Sequence, residues 1–504
     1  MNRTQRIIAT LASGGLVALA FPPFGFLGAL PIALVPWLWV MLTLDPKSIR
    51  AGWAAGYGFG FAFGAVQMFW TMPFVTKWTG SAAIGVVPWL IGMGMMALWF
   101  GLLGVAMQAA RRRDWVWSWP ILWAGLEVAR SYAPAIAYPW GLLATPLAAT
   151  PDLARGAYFL SIFGMSAALV GINLAIAQAF SGAKPKQWAL ALVMPGLAIL
   201  GYIVRPLFMP PTQPVRVALI QPAEDLAFGD PKTEPKRLWD KFNLLLPTLP
   251  RPSADLVLMP EGITHARTMP PVPPFPVGNA GHVMFGGQRG DVPRYQSSFF
   301  FDGQRWQYRD KTRLVIFGEY VPFRNLLPAS LNLPSGDLIE SREPIRPYEM
   351  DPPTGPLLCF EALFPDIAWQ QASSGARLLA VMSIDDWFLG TNAMEQLRMA
   401  SIWRAIETGL PVARVGSMGY TMAIRRDGVV VDQAPLGTPA VVPVELSTPT
   451  APAAFPLFPA FPVIALAAWI GGLILAGVTR AEARSEGGRT KRKSPSKRRA
   501  NKSS

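Results

Sequence analysis

The sequence has almost none of the side chains that most often bind metals or form disulfides. Its 504 residues include one cysteine, Cys359, and two histidines, His265 and His282. A single thiol allows no intramolecular disulfide, and so few thiols and imidazoles argue against a zinc site of the usual cysteine and histidine type. A nucleophile activated by histidine would have only two possible bases.

Charged residues are also scarce, at 15% of the chain against about 25% in soluble domains. This excludes a disordered chain and argues against an ordinary soluble enzyme. Residues 1–205 hold 17 charges and residues 206–458 hold 47, whereas 459–479 hold none and 480–504 hold 12. We therefore predict seven membrane spans in 1–205, a polar domain in 206–458, an eighth span in 459–479, and a disordered basic tail in 480–504.

A spanning helix needs about 20 mostly apolar residues. Eight segments are long and apolar enough to be candidates: 5–22, 24–43, 52–73, 83–107, 115–130, 156–180, 187–205 and 459–479. The fifth is the weakest, because it is short and contains Glu127. The first continues into Phe21-Pro22-Pro23 without a small-residue cleavage site, so we interpret it as a retained anchor.

Lysine and arginine concentrate on the cytoplasmic side of membrane proteins. With the N-terminus inside, the inside segments carry most of the basic residues: Arg3 and Arg6, Lys47 and Arg50, Arg111 to Arg113, Lys184 and Lys186, and the tail. The outside loops carry only Lys77, Arg130 and Arg155. We predict that both termini are cytoplasmic and that 206–458 faces the periplasm. The tail is then an anchor near anionic lipid, and we expect no nucleic-acid binding.

The polar domain contains short apolar runs bounded by proline, glycine and aspartate, which is typical of strands. Seven such runs are 215–222, 256–260, 283–287, 297–301, 356–360, 377–383 and 411–415. Helical spacing of apolar residues marks 233–247 and 393–408. Strands that alternate with helices indicate an α/β sheet with covered faces, and reactive groups in such sheets tend to follow the strand ends.

Three residues at or near such ends form a candidate site. Glu261 follows one run, Cys359 comes late in another, and Lys311 lies in YRDKTRLVIFGEYVPF. A nucleophilic thiol needs a base and a group that stabilises the oxyanion. Taken singly, a buried cysteine is more often an inert apolar residue, and a glutamate or lysine is more often a solvated surface charge.

The motifs around these residues resemble a known superfamily. MPEG at 259–262, KTRLVIFGEYVPF at 311–323 and CFEALFP at 359–365 resemble the nitrilase (carbon–nitrogen hydrolase) superfamily. The whole chain resembles the apolipoprotein N-acyltransferase family within it, through FPPFGF at 21–26, GFGFAFG at 58–64, WAGLEVAR at 123–130 and Tyr138-Pro139-Trp140-Gly141. The resemblance implies a membrane bundle of about eight helical spans and a four-layer αββα sandwich.

The resemblance also implies roles for individual residues. Cys359 would be the nucleophile, Glu261 the general base, and Lys311 the group that stabilises the oxyanion. Glu319 and Glu361 match supporting carboxylates, although each is also readily explained as a structural hydrogen-bonding residue. Tentative substrate-binding residues are Trp140, Phe360 and Trp387. Trp140 could instead be an interfacial anchor, and Trp387 could be core packing.

Several positions depart from the family pattern. Ile384 stands in place of an asparagine, Gln396 in place of a histidine, and Ser417 in place of another asparagine. Phe360 stands where the family usually has tyrosine. The three reactive residues are unchanged, so these departures bear on the acceptor substrate more than on the chemistry.

The resemblance implies phospholipid-dependent N-acylation of a diacylglyceryl-cysteine at lipoprotein N-termini in the bacterial inner membrane. The donor would be phosphatidylethanolamine, the intermediate a thioester on Cys359, and the enzyme a monomer that requires no metal or other cofactor. Two alternatives remain open at this point. One is a nitrilase-like amidase or acyltransferase with another amine acceptor, and the other is a non-catalytic membrane scaffold.

Two expectations distinguish the lipid acyltransferase from the amidase and scaffold hypotheses. A thiol with a depressed pKa favours an enzyme, whereas an inert thiol favours a scaffold. A lipid enzyme should also open toward the bilayer, because exposing an acyl chain to water costs about 0.8 kcal/mol per CH₂. We therefore expect a cavity from Cys359 toward the spans near Trp140. We also expect the apolar loops 269–276 and 326–328 at the membrane surface.

Overall fold

The computed structural model describes residues 1–134, 136–229, 234–249, 254–269, 281–316, 318–321, 324, 338–452 and 460–492, with side chains of the last helix described as far as Val478. The helices are α1 (Arg3–Leu19), α2 (Val35–Thr43), α3 (Ile49–Gln67), α4 (Thr71–Thr79), α5 (Ala82–Arg111), α6 (Trp119–Ser131), α7 (Pro151–Ala154), α8 (Ala157–Phe180), α9 (Pro185–Ala191), α10 (Val193–Val204), α11 (Glu234–Leu245), α12 (Pro365–Ser373), α13 (Asn392–Thr408) and α14 (Ala460–Arg492).

The strands all lie between α10 and α14. They are β1 (Thr212–Gln221), β2 (Leu256–Leu258), β3 (Thr264–Ala266), β4 (Val283–Arg289), β5 (Tyr295–Phe301), β6 (Trp306–Asp310), β7 (Thr354–Leu358), β8 (Leu378–Ser383), β9 (Val412–Gly416), β10 (Met422–Ile424), β11 (Val430–Gln433) and β12 (Ala440–Pro449). Each of the seven predicted runs coincides with a strand, and both predicted helices of the domain are present as α11 and α13.

The membrane-type helices are fewer and more broken than the eight predicted spans. Three helices in the described residues are long and apolar enough to cross a bilayer, namely Ala82–Arg111, Ala157–Phe180 and Ala460–Val478. Two bent pairs, Ile49–Gln67 with Thr71–Thr79 and Pro185–Ala191 with Val193–Phe208, raise the number to five if each pair is one span.

Two of the other three predicted spans are interrupted, and the third, 5–22, is the continuous helix α1 of 17 residues. Residues 24–43 form a 3₁₀ turn at Leu27–Ala29 and then the nine-residue α2, which has Pro36 in its first turn. Residues 115–130 form a second 3₁₀ turn before the 13-residue α6, which has Pro120 in its first turn. Proline suits such first turns because its missing N–H would be unpaired there anyway, whereas inside a helix, as at Pro88 of α5, it removes a hydrogen bond. The described residues therefore do not contain eight uninterrupted spanning helices.

The basic tail also differs from its prediction. Helix α14 continues to Arg492, so residues 480–492 are helical and not disordered. Alanine, glutamate and arginine, which favour helices, extend it beyond the apolar stretch. Residues 493–504 of the tail and the predicted apolar loops 270–276 and 326–328 lie outside the described residues.

The strands form two sheets. The first has the order β12-β1-β2-β4-β5-β6, with β3 paired to β4, and the second has the order β11-β10-β9-β8-β7. Strands β1, β2 and β4 are mutually parallel, as are β7, β8 and β9. In parallel strands the carboxyl ends lie at one edge, so residues that follow β2, β7 and β8 emerge near one another.

The buried apolar side chains show how the layers pack. Leu219 and Leu258 of the first sheet share a core with Leu358 and Met382 of the second, so the two sheets lie face to face. Helix α11 covers the outer face of the first sheet through Leu238 and other apolar side chains. The outer face of the second sheet packs with α12 and α13 in a core that continues into the membrane helices.

Candidate active site

The three predicted reactive residues follow strands of both sheets. Glu261 comes three residues after β2, Lys311 directly after β6, and Cys359 directly after β7. Cys359 has a φ of +47°, in the left-handed region. A non-glycine residue there costs about 1–2 kcal/mol. Such strain is often found where a side chain is held for function.

A buried lysine and two carboxylates form the centre of the site. The Nζ atom of Lys311 donates to Oε1 of Glu319 at 2.7 Å and to Oε1 of Glu261 at 3.3 Å. Lys311 is 1% exposed and Glu261 is 2% exposed. Burial opposes the charge on Lys311, but Glu261 and Glu319 outweigh it and raise the pKa of the ammonium. The lysine is therefore a fixed positive charge at neutral pH.

Burial also disfavours the charged form of Glu261, which for a carboxylate means a higher pKa. It raises the pKa of Glu261 to about 7, although the neighbouring Lys311 lowers it. A carboxyl group whose pKa lies near neutrality exchanges protons readily at that pH, which is what a general base requires. Perturbed groups of this kind concentrate at functional sites.

The thiol of Cys359 is buried, and its charge environment includes Glu261 and Lys311. Burial and then the negative charge of Glu261 raise its pKa to about 12, while Lys311 and a hydrogen bond with Ser383 lower it. This pKa is raised and not depressed, contrary to the simple expectation for a reactive thiol. The cause is that desolvation of the thiolate outweighs the attraction of Lys311. The resting group is a neutral thiol, so its activation requires a base during the reaction.

The two supporting glutamates connect the site to its backbone. Glu319 accepts from Lys311 through Oε1 and from the amide of Val315 through Oε2, at 2.7 Å in each case. Glu361 accepts from the amide and hydroxyl of Thr312, at 2.7 and 2.9 Å, and from the amide of Leu358 at 2.9 Å. Glu361 thus ties the residue after Lys311 to the residue before Cys359, and burial raises its pKa.

An aromatic cluster lies between the membrane helices and the domain. The ring of Trp140 is 6.3 Å from that of Phe360 and 5.3 Å from that of Trp70, between centroids. Trp387 stacks on Trp78 at 5.0 Å. Phe360 is adjacent to Cys359 in the chain, so the cluster joins the thiol to α3, α4 and the 138–143 loop. Trp140 is 3% exposed, which fits this packing and not a solvent-exposed anchor.

Several residues of the site were not found from the sequence. Ser383 Oγ donates to Asp385 at 2.6 Å, and Arg414 pairs with the same carboxylate at 2.6 Å. Asp386 accepts from the amides of Leu226 and Met418, at 2.8 and 3.0 Å, and burial raises its pKa to about 7. The Asp-Asp pair in SIDDWF was a visible signal, because two adjacent acids directly after an apolar strand require buried partners.

The positions that depart from the family pattern also make specific contacts. Gln396 accepts from the amide of Gly141 at 2.8 Å and donates to Gln67 at 3.2 Å, which joins α13 to the loop of Trp140 and to α3. Ser417 donates to the carbonyl of Glu224 at 2.5 Å. The side chain of Ile384 lies against Gly262, the residue after Glu261. These substitutions therefore surround the reactive residues without replacing them.

Two cavities within the described residues have linings that do not include Cys359. One of about 30 Å³, the size of a single water molecule, lies beside Thr312, Leu358 and Glu361. The other, of about 310 Å³, lies between Ile121 of α6 and Met194 of α10. The predicted cavity from Cys359 toward the spans stays a prediction. Among the described residues there is no group of three or more metal-ligating side chains.

The site places a thiol, a carboxylate and a buried cation at strand ends next to membrane helices. Together these features indicate a class of protein with two parts. The chain combines a helical membrane part with a carbon–nitrogen hydrolase type of domain. Two family models match accordingly, the apolipoprotein N-acyltransferase N-terminal domain at residues 13–175 and the carbon-nitrogen hydrolase domain at residues 278–453.

Similar proteins extend this comparison over most of the chain. The apolipoprotein N-acyltransferase of Geobacter metallireducens is 26% identical over 494 residues, covering 87% of this chain and 89% of its own. That of Allorhizobium ampelinum is 27% identical over 464 residues, covering 83% and 86%. A crystal structure of a carbon-nitrogen hydrolase from Helicobacter pylori G27 aligns with 46% of this chain and 89% of its own, at 12% identity and a TM-score of 0.34. The sequence resemblance to the apolipoprotein N-acyltransferase family is thereby confirmed.

Proposed function

We propose that this protein is an N-acyltransferase that transfers an acyl chain from a phospholipid to the α-amino group of a diacylglyceryl-cysteine at lipoprotein N-termini. The names of its relatives support the lipoprotein substrate. The observation that carries the proposal is that Lys311 pairs with Glu261 beside a buried thiol, and that Phe360, the residue after this thiol, packs near Trp140 of the membrane part.

The proposed reaction has two halves. In the first, the thiol of Cys359 attacks the ester carbonyl of a phospholipid such as phosphatidylethanolamine, and Glu261 accepts the thiol proton. Lys311 stabilises the oxyanion of the tetrahedral intermediate. The C–O bond of the ester then breaks, Glu261 returns the proton to the leaving alkoxide, and a lysophospholipid departs. The products are this lysophospholipid and a thioester on Cys359.

In the second half, the amine of the lipoprotein attacks the thioester. Glu261 accepts a proton from the nitrogen, the C–S bond breaks, and the proton returns to the sulfur of Cys359. A thioester retains enough activation to form an amide, so neither half-reaction needs an additional energy source. Both substrates are lipids, and lateral entry from the bilayer would avoid exposing their chains to water.

The proposal includes the finer architecture that the resemblance implies. It takes the domain, residues 206–458, as a four-layer αββα sandwich on the periplasmic side of the bacterial inner membrane. It also takes eight membrane crossings, in which short or bent helices complete the spans, and a monomeric enzyme. The shared core between α13 and the membrane helices supports a domain held against the bilayer.

The decisive experiment is mass spectrometry of the intact protein after incubation with phosphatidylethanolamine and no acceptor. We expect a mass increase of one acyl chain that hydroxylamine removes, because thioesters are cleaved by it. Cys359→Ser should show no adduct and should lose more than about a hundredfold in acyl transfer, since its hydroxyl pKa is far above that of a thiol.

The serine variant is close in size to the wild type and should still fold and insert. Retention of more than about a tenth of the activity in Cys359→Ser, a barrier change below about 1.4 kcal/mol, would exclude covalent catalysis at this residue. Acyl release to water in place of amide formation would favour the amidase alternative.

A further inference from the structure

Four arginines meet where the domain joins the membrane helices, and we refer to them as the arginine cluster: Arg155, Arg205, Arg425 and Arg426. Arg155 follows α7, and Arg205 begins a 3₁₀ turn directly after α10. Arg425 and Arg426 lie in the turn between β10 and β11. A Cβ on Gly428 of that turn would lie 3.0 Å from Pro151 of α7, so the turn packs directly on the membrane part. None of these elements carries Glu261, Lys311 or Cys359.

The cluster has more positive than negative charge. Asp427 pairs with Arg425 at 2.5 Å and with Arg155 at 3.5 Å, and Asp152 pairs with Arg155 at 2.5 Å. Within the part of the chain that the structure describes, neither Arg205 nor Arg426 has a carboxylate at ion-pair distance. Their guanidinium groups instead donate to the carbonyls of Arg426 and Pro210, at 2.5 and 2.7 Å. Four arginines and two aspartates leave a net charge of +2.

The uncompensated charge is partly buried. Arg205 is 6% exposed, and although Asp427 attracts it electrostatically, Arg155 and Arg426 both repel it. The Nε atoms of Arg155 and Arg205 are buried and have no hydrogen-bond partner among the residues that the structure describes. Like charges held together at low exposure are unfavourable unless an anion compensates them.

Large apolar side chains next to the cluster are exposed. Leu153 is 65% exposed and Leu207 is 82% exposed, and each lies two residues from an arginine of the cluster. Exposed leucines at the ends of membrane helices are expected to contact lipid. The combination of arginines and lipid-facing leucines matches the two parts of a phospholipid, a phosphodiester and its acyl chains. Arginine also binds phosphate through two parallel hydrogen bonds.

We propose that the arginine cluster binds the phosphodiester of a membrane phospholipid, whose chains lie along Leu153 and Leu207. The lipid supplies the missing counter-charge and links the β10–β11 turn of the domain to the bilayer. The inference rests on the membrane location of the helices and not on acyl transfer. Failure of the reaction proposed above would therefore leave it unaffected.

The test is native mass spectrometry of the full-length protein in detergent, titrated with phosphatidylglycerol. Arg426→Gln removes an unpaired and partly exposed charge, and it should weaken lipid binding about fivefold, the effect of one basic residue near a membrane phosphate. Asp152→Asn removes an exposed negative charge and should strengthen binding by a similar factor. The matched control is Arg216→Gln. Arg216 lies on β1, away from the cluster, and it pairs with Asp255.

The opposite effects of the two variants separate binding from folding. Weaker binding in Arg426→Gln without stronger binding in Asp152→Asn would mean that Arg426 acts only through structure, and would overturn the proposal. Equal binding by Arg426→Gln and Arg216→Gln would overturn it as well. Inorganic phosphate at millimolar concentration should not displace the lipid, and full displacement would assign the site to free anions and reject the lipid.

Discussion

The protonation of Cys359 determines how the site must work. Its pKa is raised to about 12, first by burial and then by Glu261. The raised pKa favours the neutral thiol at neutral pH. In the proposed reaction the proton then moves to Glu261 as the sulfur attacks, so we expect the carboxylate to be as necessary as the thiol. Lys311 keeps its charge throughout and so serves both halves of the reaction.

The pH dependence of thioester formation follows from Glu261. Burial raises its pKa to about 7, so the group is ionised and able to accept a proton above that pH and is neutral below it. We expect the rate to rise with pH through about 7 and to fall about tenfold per unit below it. Initial rates of acyl-adduct formation between pH 5 and pH 9 would measure this.

The matched control is Asp386→Asn. Asp386 is also buried, and its pKa is also raised to about 7, but it binds loop amides and not Lys311. Its variant can lower the rate but should leave the midpoint near pH 7. Loss of the acidic limb in Asp386→Asn would move the assignment of the base away from Glu261, as would a midpoint below pH 5 in the wild type.

At the level of residues, the sequence predicted the lysine and the carboxylate that the structure pairs, and the thiol whose charge environment they form, but it missed their hydrogen-bonding partners. The catalytic roles of the three residues stay predictions. Glu261 and Cys359 lie at or near the ends of strands that the sequence predicted, whereas Lys311 lies in a recognisable motif whose preceding strand, β6, the sequence did not predict. Ser383 binds Asp385, which is only two residues away. Gln396 instead gains its role from residues far away in sequence, as the 255-residue separation of Gln396 and Gly141 shows. Nothing in the local pattern of such a residue specifies its partner.

Helices α3 and α5 pack closely because of a row of glycines. Gly52, Gly56, Gly60 and Gly64 recur every four residues and therefore lie on one face of α3. A Cβ on Gly60 would lie 2.7 Å from the carbonyl oxygen of Met96, and one on Gly56 would overlap the carbonyl of Phe100. Small residues at this spacing let membrane helices approach closely.

We expect Gly56→Ala to destabilise the protein by about 1–3 kcal/mol, the usual cost of overpacking. The contact is with backbone, which cannot rotate away as a side chain does. Gly94→Ala on α5 is the matched control, because no atom lies within 4 Å of the Cβ it would add. Both variants gain the same helix propensity, so a lower thermal midpoint in Gly56→Ala alone isolates the clash. Equal midpoints would contradict this packing.

At the level of elements, strands were easier to predict than spans. The seven apolar runs were each bounded by proline, glycine or aspartate, which limits where a strand can extend. Hydropathy alone did not show that 24–43 and 115–130 are interrupted, because turns made of apolar residues keep the same average. Pro31, Pro36 and Pro120 were the local signals. Strand β6, which leads to Lys311, was missed because its five residues are all half-buried and do not alternate.

Helix α13 connects the domain to the membrane part at three points. Gln396 binds Gly141, Trp403 donates to the carbonyl of Thr145 at 3.0 Å, and Glu407 accepts from the amide of Ile162 at 2.7 Å. The same helix reaches the site, because Arg404 donates to the carbonyl of Ala362 at 3.0 Å. The membrane loop that contains Trp140 and the turn that contains Cys359 are therefore positioned by one element.

The loops of the membrane part fall into two groups by their contacts. Arg111 and Arg112 donate to carbonyls of residues 41–47, so two loops predicted to be cytoplasmic meet each other. Lys77 and Arg155, predicted to be outside, instead pair with Asp225 and Asp427 of the domain. This grouping is what the positive-inside pattern requires if the domain lies on the side opposite to the termini.

The membrane orientation gives the last prediction. A periplasmic reporter, such as alkaline phosphatase, fused after Pro250 should be active, and one fused after Thr479 should be inactive. The reason is that the loops with few basic residues contact the domain, whereas Arg3, Arg6 and the tail are basic and belong to the side that the positive-inside pattern makes cytoplasmic. A fluorescent protein that matures only in the cytoplasm should give the reverse result. A cytoplasmic signal at Pro250, or a periplasmic one at Thr479, would invert the topology and remove the outer-leaflet phospholipids from reach of Cys359.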